Sequence, residues 1–273
     1  MRKWLLFFII AASAVRSLAG ANDSIPYPKL DKSYLKSYYY DTRNLLFSPA
    51  SWGSKQWITL GVVVGAGALA YSQDADIQAF FADHQSHATG NISKYIFEPF
   101  GNGKFSPVII GGLYLGGFLA KDKRLAGTSL AAAKALFVSS VFTQAIKQIT
   151  HRHRPFQDEI PDRADWDGPF SKTSFNSFPS GHATAAFSLA TVFAFEYRKT
   201  VWIPCLAYTL ATGTAISRLY DNKHWASDVV IGSAIGFFTG RFMWKQSRKT
   251  NHRCILLPSL GKEATSLTLF LRL

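Results

Sequence analysis

Three short blocks in the second half of the chain hold the residues best suited to chemistry. In chain order they are Lys147-x6-Arg154-Pro155, Pro179-Ser180-Gly181-His182 and Ser217-Arg218-x5-His224-x3-Asp228. Together they supply two histidines, three cations and one carboxylate, and each block lies beside an apolar stretch. Histidines can act as nucleophile and proton donor, a carboxylate can orient one of them, and cations can hold a phosphate. The set predicts phosphoryl transfer that needs no metal ion.

The first two blocks contain residues that suit contact with an anion. Lys147 and Arg154 are seven residues apart, so on one continuous helix they would share a face. Pro155 disfavours helical geometry at Arg154, and we therefore expect the helix to end there. Ser180 is a typical N-cap residue, and Gly181 lets backbone amides approach an anion closely. A helix that begins here would offer its N-terminus to a phosphate.

The third block places a histidine and a carboxylate one helical turn apart. His224 and Asp228 are four residues apart, so on a helix the carboxylate can reach the imidazole. If Asp228 accepts a hydrogen bond from Nδ1–H, the lone pair of Nε2 stays free for attack. A metal held by His182 and His224 is the competing interpretation, but the nearby cations would repel it. We therefore expect neither a metal nor another cofactor.

The three blocks resemble the signature of the type 2 phosphatidic acid phosphatase family, which also includes periplasmic acid phosphatases and vanadium haloperoxidases. The resemblance spans about residues 57–244, and every signature position is matched. It implies that the phosphate is bound by Lys147, Arg154, Ser180, Gly181 and Arg218. It also implies that His224 attacks phosphorus to give a phosphohistidine, that His182 protonates the leaving oxygen, and that Asp228 orients His224.

The implied activity is hydrolysis of lipid phosphate or diphosphate monoesters. Phosphatidic acid, phosphatidylglycerol phosphate, undecaprenyl diphosphate and the phosphates of lipid A are the candidate substrates. A soluble periplasmic acid phosphatase of broad specificity is the first alternative, and a vanadium haloperoxidase, usually a larger protein, is the second. A non-catalytic membrane scaffold is disfavoured, because packing needs none of these polar residues. The blocks leave open the body of the substrate and the oligomeric state.

The composition favours a membrane as the partner of this basic chain. Its 273 residues carry a net charge of +13, with 48% hydrophobic and 17% charged residues. Such a charge suits nucleic acid, an anionic membrane surface or an anionic substrate. We expect no nucleic-acid partner, because no basic run is interleaved with aromatic residues in the manner of a nucleic-acid groove. The two cysteines, Cys205 and Cys254, do not indicate a disulfide framework.

Six apolar segments predict an all-α fold. They lie near residues 57–71, 107–120, 129–150, 182–196, 201–217 and 228–244. They lack strand-like alternation and exceed the usual strand length, so we expect a six-helix bundle that crosses a membrane. Glycines at four-residue spacing, Gly232, Gly236 and Gly240 among them, would let helices approach closely. Several segments are shorter than the roughly twenty residues that a bilayer requires, so a compact soluble bundle remains the alternative.

We place the helical domain at residues 57–252. Three further units lie before and after it in the chain. Residues 1–21 combine two basic residues, an apolar run and small residues, as in an export signal or an uncleaved anchor. Residues 22–56 form a polar and aromatic arm that we expect to be interfacial or loosely ordered. Residues 253–273 predict a small C-terminal β-hairpin, with Pro258 and Gly261 near its turn.

Basic clusters follow the second, fourth and sixth apolar segments and indicate an orientation. Under the positive-inside rule this face of the bundle is cytoplasmic, and the three blocks face the periplasm of a bacterial inner membrane. Six crossings would then leave residues 22–56 in the cytoplasm, whereas a signal would export them. Either the N-terminal run is not a working signal, or segment 57–71 does not cross, or the chain is not polytopic. A soluble periplasmic location is the alternative.

Overall fold

The computed structural model describes residues 27–169, 171 and 176–249, together with the backbone of 254–260 and 265–271. The described part contains ten α-helices: α1 (Lys32–Phe47), α2 (Ser54–Ser72), α3 (Asp74–Asp83), α4 (His87–Ile92), α5 (Glu98–Gly101), α6 (Phe105–Leu119), α7 (Lys123–Thr150), α8 (Gly181–Glu196), α9 (Trp202–Tyr220) and α10 (Ala226–Ser247). A 3-10 turn at Ser48–Ser51 follows α1, and a π-helical turn at Ser93–Phe97 precedes α5. All six predicted apolar segments are helices, which confirms the all-α fold class.

Helix α8 is the centre of the bundle and packs against α7, α9 and α10. The core around it is built mainly from small side chains, including Ala132, Ala135 and Val192, all fully or almost fully buried. Small residues let helix backbones approach closely, so that dispersion contacts replace large interlocking side chains. The position of α8 relative to its neighbours is therefore set by backbone contact.

Gly232, Gly236 and Gly240 form a close contact between α10 and α8, as predicted, and we call this contact the glycine seam. A Cβ atom at Gly232 would lie 2.6 Å from the carbonyl oxygen of Ser180, and one at Gly240 would lie 2.6 Å from that of Ser188. Gly236 meets the α8 backbone in the same way. By contrast, a Cβ at Gly61 in α2 would meet nothing within 4 Å. Glycine spacing thus marks a close helix contact in α10 and plain helix surface in α2.

We expect Gly240→Ala to destabilise the protein, whereas Gly61→Ala should not. The added methyl at Gly240 must push α10 away from the α8 backbone, and such overpacking costs about 1–3 kcal/mol. At Gly61 the same methyl has room and improves helix propensity by up to about 1 kcal/mol. Thermal unfolding of both variants in the same detergent measures the difference. Equal midpoints for the two variants would contradict the seam.

Part of the N-terminal arm is a docked helix instead of a loose segment. Within α1, the hydroxyl of Tyr34 donates to the carbonyl of Leu130, 2.9 Å away. Asp41 accepts a 2.6 Å hydrogen bond from Lys134, whose side chain is buried in α7. The sequence of the arm alone could not reveal this, because its partners lie almost a hundred residues further along. The predicted signal at residues 1–21 lies outside the described residues.

Basic residues gather at one end of the bundle, and the three blocks lie at the other end. At the C-terminus of α8, Glu196 forms ion pairs with Arg124 (3.1 Å) and Arg248 (3.8 Å). Arg198 lies over the ring of Trp244 at the same end. The basic clusters after the second, fourth and sixth apolar segments therefore meet on one face, as the sequence predicted.

The C-terminal strands β1 (Cys254–Leu260) and β2 (Thr265–Leu271) pair in antiparallel fashion, so the predicted hairpin is present. Pro258 lies inside β1, two residues before the end of the strand, and pairs with Leu267, so it is near the turn as predicted. Residues 261–264, with the predicted turn residue Gly261, lie outside the described residues.

Among the described helices, α7 has the length and apolar composition needed to cross a membrane. Of its most apolar stretch, 67% is buried inside the protein. Helix α6 is apolar but shorter. By length and composition, α7 is thus the described helix that qualifies as a membrane span, and the number of crossings stays a prediction.

Candidate active site

Four helix ends bring the three blocks together. Helices α7 and α9 end, and α8 and α10 begin, at the end of the bundle opposite Glu196. The first block closes α7, the second opens α8, and the third spans the connection from α9 to α10. His182 interacts electrostatically with all of the following: Arg218, His224, Arg154 and Lys147. The structure therefore gathers the predicted catalytic and phosphate-binding residues in one place.

The first block is not one continuous helix. Helix α7 ends at Thr150, four residues before the position that we expected, because His151 adopts a left-handed conformation with φ 43°. The backbone N–H of His151 donates to the carbonyl of Lys147 (3.0 Å), which closes the last turn. Lys147 and Arg154 therefore do not share a helix face, and Arg154 reaches the site from the connection after α7.

Both cations of the first block contact the segment that leads into α8. The buried ammonium of Lys147 donates to the carbonyl oxygens of Asn176 and Ser177, the latter at 3.2 Å. The guanidinium of Arg154 donates to the side-chain oxygen of Asn176 at 2.9 Å. These neutral acceptors hold the two cations in position and leave their positive charge available to a phosphate.

The second block forms the expected helix start. The Ser180 hydroxyl accepts from the N–H of Ala183 (3.4 Å) and so caps α8. The N–H of Ser180 donates to the backbone oxygen of Asp228 (2.9 Å), which ties the start of α8 to that of α10. Gly181 is the first residue of α8 and adjoins the side chain of Lys147. The Nε2 atom of His182 is buried and has no hydrogen-bond partner among the described residues, so it is available to a ligand.

The third block differs locally from the predicted helical turn. His224 precedes α10, and Trp225 is its N-cap residue. Asp228 is the third helical residue, and its carboxylate accepts the N–H of Trp225 at 2.9 Å. This capping interaction brings the carboxylate toward His224. The distance between His224 Nδ1 and Asp228 Oδ2 is 3.6 Å, longer than a well-formed hydrogen bond.

Sequence reasoning missed Ser177, which lies between this histidine and this carboxylate. Its buried hydroxyl donates to Asp228 Oδ2 (2.5 Å) and is 3.4 Å from His224 Nδ1. Its backbone N–H donates to the carbonyl of Arg152 at 2.8 Å. Its position just before the second block is the one signal that could have drawn attention to it.

The third cation is partly neutralised. The buried guanidinium of Arg218 donates to Asp221 (2.9 Å) and to Glu98 (3.4 Å). Glu98 lies 120 residues from Arg218 in the chain, so no local pattern pairs these two residues. The positive charge that reaches a phosphate is therefore smaller than that of three free cations.

Burial keeps His224 neutral. Removal of the imidazole from water, together with the charges of Lys147 and Arg154, lowers the pKa of His224 from its usual 6.5 to about 3, although Asp228 opposes this shift. The imidazole therefore keeps a lone pair through the whole neutral range. Since Nδ1 faces Asp228 and Ser177, the other ring nitrogen, Nε2, is the one that can attack.

A groove of about 650 Å³ leads away from these residues between α6 and α7. Its walls are mainly apolar, with Ile110, Gly111, Ala133 and Leu136 among them. It extends along α7 from Ser129 to Lys147 and reaches Gly181 and His182 at its end. At 1.5 Å per residue this is a path of about 27 Å, long enough for an extended hydrocarbon chain.

In the described part of the chain, one group of side chains has the types and spacing of metal ligands. It consists of His153, Asp158 and Asp165, in the connection after α7. His153 Nδ1 already lies 3.0 Å from a carboxylate oxygen of Asp158. The group does not include His182 or His224.

The sequence places the three blocks in a known family. Residues 127–252 match the PAP2 superfamily, and this stretch contains all three blocks. The segment 127–252 is a PAP2 superfamily domain. The PAP2 domain begins within α7 and thus includes α8, α9 and α10.

Parts of the chain are also similar to individual proteins of named function. The lipid A 1-phosphatase of Porphyromonas gingivalis is 48% identical over 69 residues, 25% of this chain and 16% of that protein. The putative undecaprenyl-diphosphatase YbjG of Escherichia coli is 28% identical over 51% of this chain and 66% of its own. The chain thus spans less than two thirds of either relative. The crystal structure of Aquifex aeolicus LpxE has a TM-score of 0.49 at 19% identity, over 63% of this chain and 94% of that one.

Proposed function

We propose that the protein is a metal-independent phosphatase of lipid phosphate or diphosphate monoesters that works through a phosphohistidine on His224. The observation that carries the proposal is the apolar groove that ends at His182, which protonates the leaving group in this mechanism. A leaving group must depart on the side of its proton donor. The leaving group would therefore lie in an apolar groove, as the body of a lipid does.

The first step transfers the phosphoryl group to the enzyme. In the free protein, burial and the neighbouring cations lower the pKa of His182 to about 3, so His182 must gain its proton as the phosphate binds, because the negative charge of the phosphate offsets those cations. The Nε2 lone pair of His224 then attacks phosphorus, the bond between phosphorus and the leaving oxygen breaks, and His182 gives this proton to that oxygen. Lys147, Arg154 and the amides at the start of α8 hold the other phosphate oxygens. In the second step water attacks the phosphohistidine, and His182, now neutral, accepts the proton of that water.

The outer faces of α2 and α6 support a membrane location. Side chains such as Ile58 and Val62 in α2, and Val108 and Phe118 in α6, are more than 60% exposed. Contiguous apolar surface of this kind marks a membrane or protein contact. Because the basic clusters lie at the opposite end, the positive-inside rule favours an active site that faces the periplasm.

The names of the relatives support a lipid substrate. One acts on lipid A and the other, by its name, on undecaprenyl diphosphate. A soluble acid phosphatase of broad specificity is the second candidate. A phosphate-release assay of the purified protein against lipid phosphates, lipid diphosphates and soluble phosphate esters tests the proposal. Equal kcat/KM for lipid and soluble esters, with active protein extracted without detergent, would favour the soluble enzyme.

Turnover should survive EDTA and should be inhibited by vanadate. Cationic side chains supply the charge neutralisation in this mechanism, and vanadate mimics the five-coordinate phosphorus of the attack on His224. Phosphate release is measured after dialysis against EDTA, with added magnesium or zinc as controls. Loss of activity on dialysis, with recovery on addition of metal, would contradict the proposed mechanism.

A further inference from the structure

The residue that contacts the most partners in this region is Arg152, between the two cations of the first block. Its side chain is fully buried. One guanidinium nitrogen donates to Asp228 Oδ1 (2.6 Å) and to Ser227, and the other donates to Asp74 Oδ2 (2.7 Å). Nε and the same second nitrogen also reach the carbonyl of Arg163. Every donor direction of the guanidinium is used inside the protein.

Three aromatic rings enclose this ion cluster. The guanidinium carbon of Arg152 lies 4.7 Å from the ring centroid of Trp166, 5.1 Å from that of Tyr71 and 5.3 Å from that of Trp225. These rings exclude water and favour a cation near their faces. Electrostatic interactions within the cluster are therefore weakly screened.

The charges of the cluster do not cancel. Arg152 is one cation between two fully buried carboxylates, Asp74 and Asp228. A buried pair of Arg152 and Asp228 alone would carry no net charge next to His224. Asp74 satisfies the other half of the guanidinium, so these three side chains together carry one net negative charge. The guanidinium of Arg163, the neighbouring cation, is directed to the carbonyls of Tyr71 and Ser72.

The cluster also fixes which oxygen faces the histidine. Arg152 binds Asp228 Oδ1, whereas Oδ2 receives Ser177 and the N–H of Trp225 and faces His224. With Oδ1 anchored, the carboxylate cannot rotate away from the imidazole without breaking a buried, charged hydrogen bond. Such a break is costly because it leaves an unpaired buried charge.

We propose that Arg152 and Asp74 are positioning residues for phosphoryl transfer, in that they orient Asp228 and supply the net negative charge that stabilises the phosphorylated histidine. On attack, the ring of His224 gains a phosphoryl group at Nε2, keeps its proton on Nδ1 and becomes cationic. A net negative cluster next to Nδ1 lowers the energy of that cation. The inference rests on the proposed function, since it concerns the same phosphohistidine.

A purely structural role is the competing explanation. Asp74 also accepts from the N–H and the hydroxyl of Ser227 (2.8 and 2.6 Å), so it fastens the start of α3 to that of α10. A clamp of this kind would affect how many molecules are folded. It would not affect how fast a folded molecule reacts.

Single-turnover labelling separates the two roles. The full-length protein is mixed with a lipid phosphate that carries a radioactive phosphoryl group and is quenched with alkali, in which phosphohistidine is stable. The amplitude counts the folded sites, and the rate constant reports the chemistry at each site. The variants are Asp74→Asn, which keeps the shape and removes the charge, and Arg152→Lys, which keeps the charge and loses the fork to two carboxylates. Asp76→Asn, an exposed acid two residues further along α3, is the matched control.

We expect Asp74→Asn and Arg152→Lys to lower the labelling rate constant per site at least about tenfold, with KM within about threefold of wild type, since a transition-state interaction is lost. Asp76→Asn should react like wild type. Wild-type rate constants with reduced amplitude in both variants would overturn the positioning role and leave a clamp. Absence of label in the wild-type protein would instead overturn the proposed function itself, and this inference with it.

Discussion

Replacement of His224 by alanine is expected to abolish both the phosphoenzyme and turnover. His224 interacts with the charges of Lys147 and Arg154, its Nε2 is the nucleophile of the proposed mechanism, and alanine offers no nucleophile in its place. The loss in kcat should be at least about four orders of magnitude, as for other enzymes that lose a nucleophile. Labelling with a radioactive lipid phosphate followed by an alkaline quench measures the phosphoenzyme directly.

His182→Ala is the informative companion to this variant. Its loss should be about 10²–10⁴-fold, because a proton donor accelerates a step that can still proceed without it. Since the proposed mechanism uses His182 in both steps, the small amount of phosphoenzyme that forms should also decay slowly, and label should persist. Normal labelling in His224→Ala would show that His224 is not the nucleophile. If His182→Ala then carried no label at all, His182 would be the nucleophile instead.

A phenylalanine at Gly111 is expected to separate lipid from soluble substrates. Gly111 lines the groove, and a Cβ atom there would meet nothing within 4 Å, so the new ring should enter the groove without displacing the protein. If the ring excludes about four methylene groups of the lipid, at about 0.8 kcal/mol each, the loss is about 3 kcal/mol or roughly 100-fold in kcat/KM. Hydrolysis of p-nitrophenyl phosphate, which has no chain, should stay within about threefold of wild type.

Gly61→Phe is the matched control for this variant. Gly61 also has an open Cβ direction and an exposed position in a helix, but it lies in α2 and does not line the groove. Both variants carry the same change in helix propensity and the same added surface. An equal loss of lipid hydrolysis in the two variants would show that the groove does not hold the leaving group.

The sequence predicts the helices and the gathered residues well, for a physical reason. Runs of apolar residues without alternation identify α8, α9 and α10, and the chemistry of a phosphate dictates the residue types at their ends. Local backbone geometry was less predictable. The end of α7 depends on the left-handed conformation of His151, and the approach of His224 to Asp228 depends on a cap at Trp225. Neither has a pattern that spacing alone reveals.

The parts of the site that the sequence did not predict are those whose partners lie far along the chain. Asp74 and Arg152 are 78 residues apart, and Glu98 and Arg218 are 120 residues apart. An isolated arginine near a helix end usually extends to a surface, so nothing in the sequence distinguishes Arg152 from such a residue. Only the folded arrangement shows that it is buried between two acids.

The glycine seam between α8 and α10 has a consequence for how such an enzyme can diversify. His182 lies in the first turn of one of these helices and Asp228 in the first turn of the other, so the seam fixes the spacing of these two residues. One wall of the groove belongs to α6, which packs on α7. Mutations in α6 can therefore reshape the compartment for the lipid while the reaction geometry is inherited unchanged. Selection for a new substrate can therefore act on α6, whereas selection for the reaction itself acts on α8 and α10.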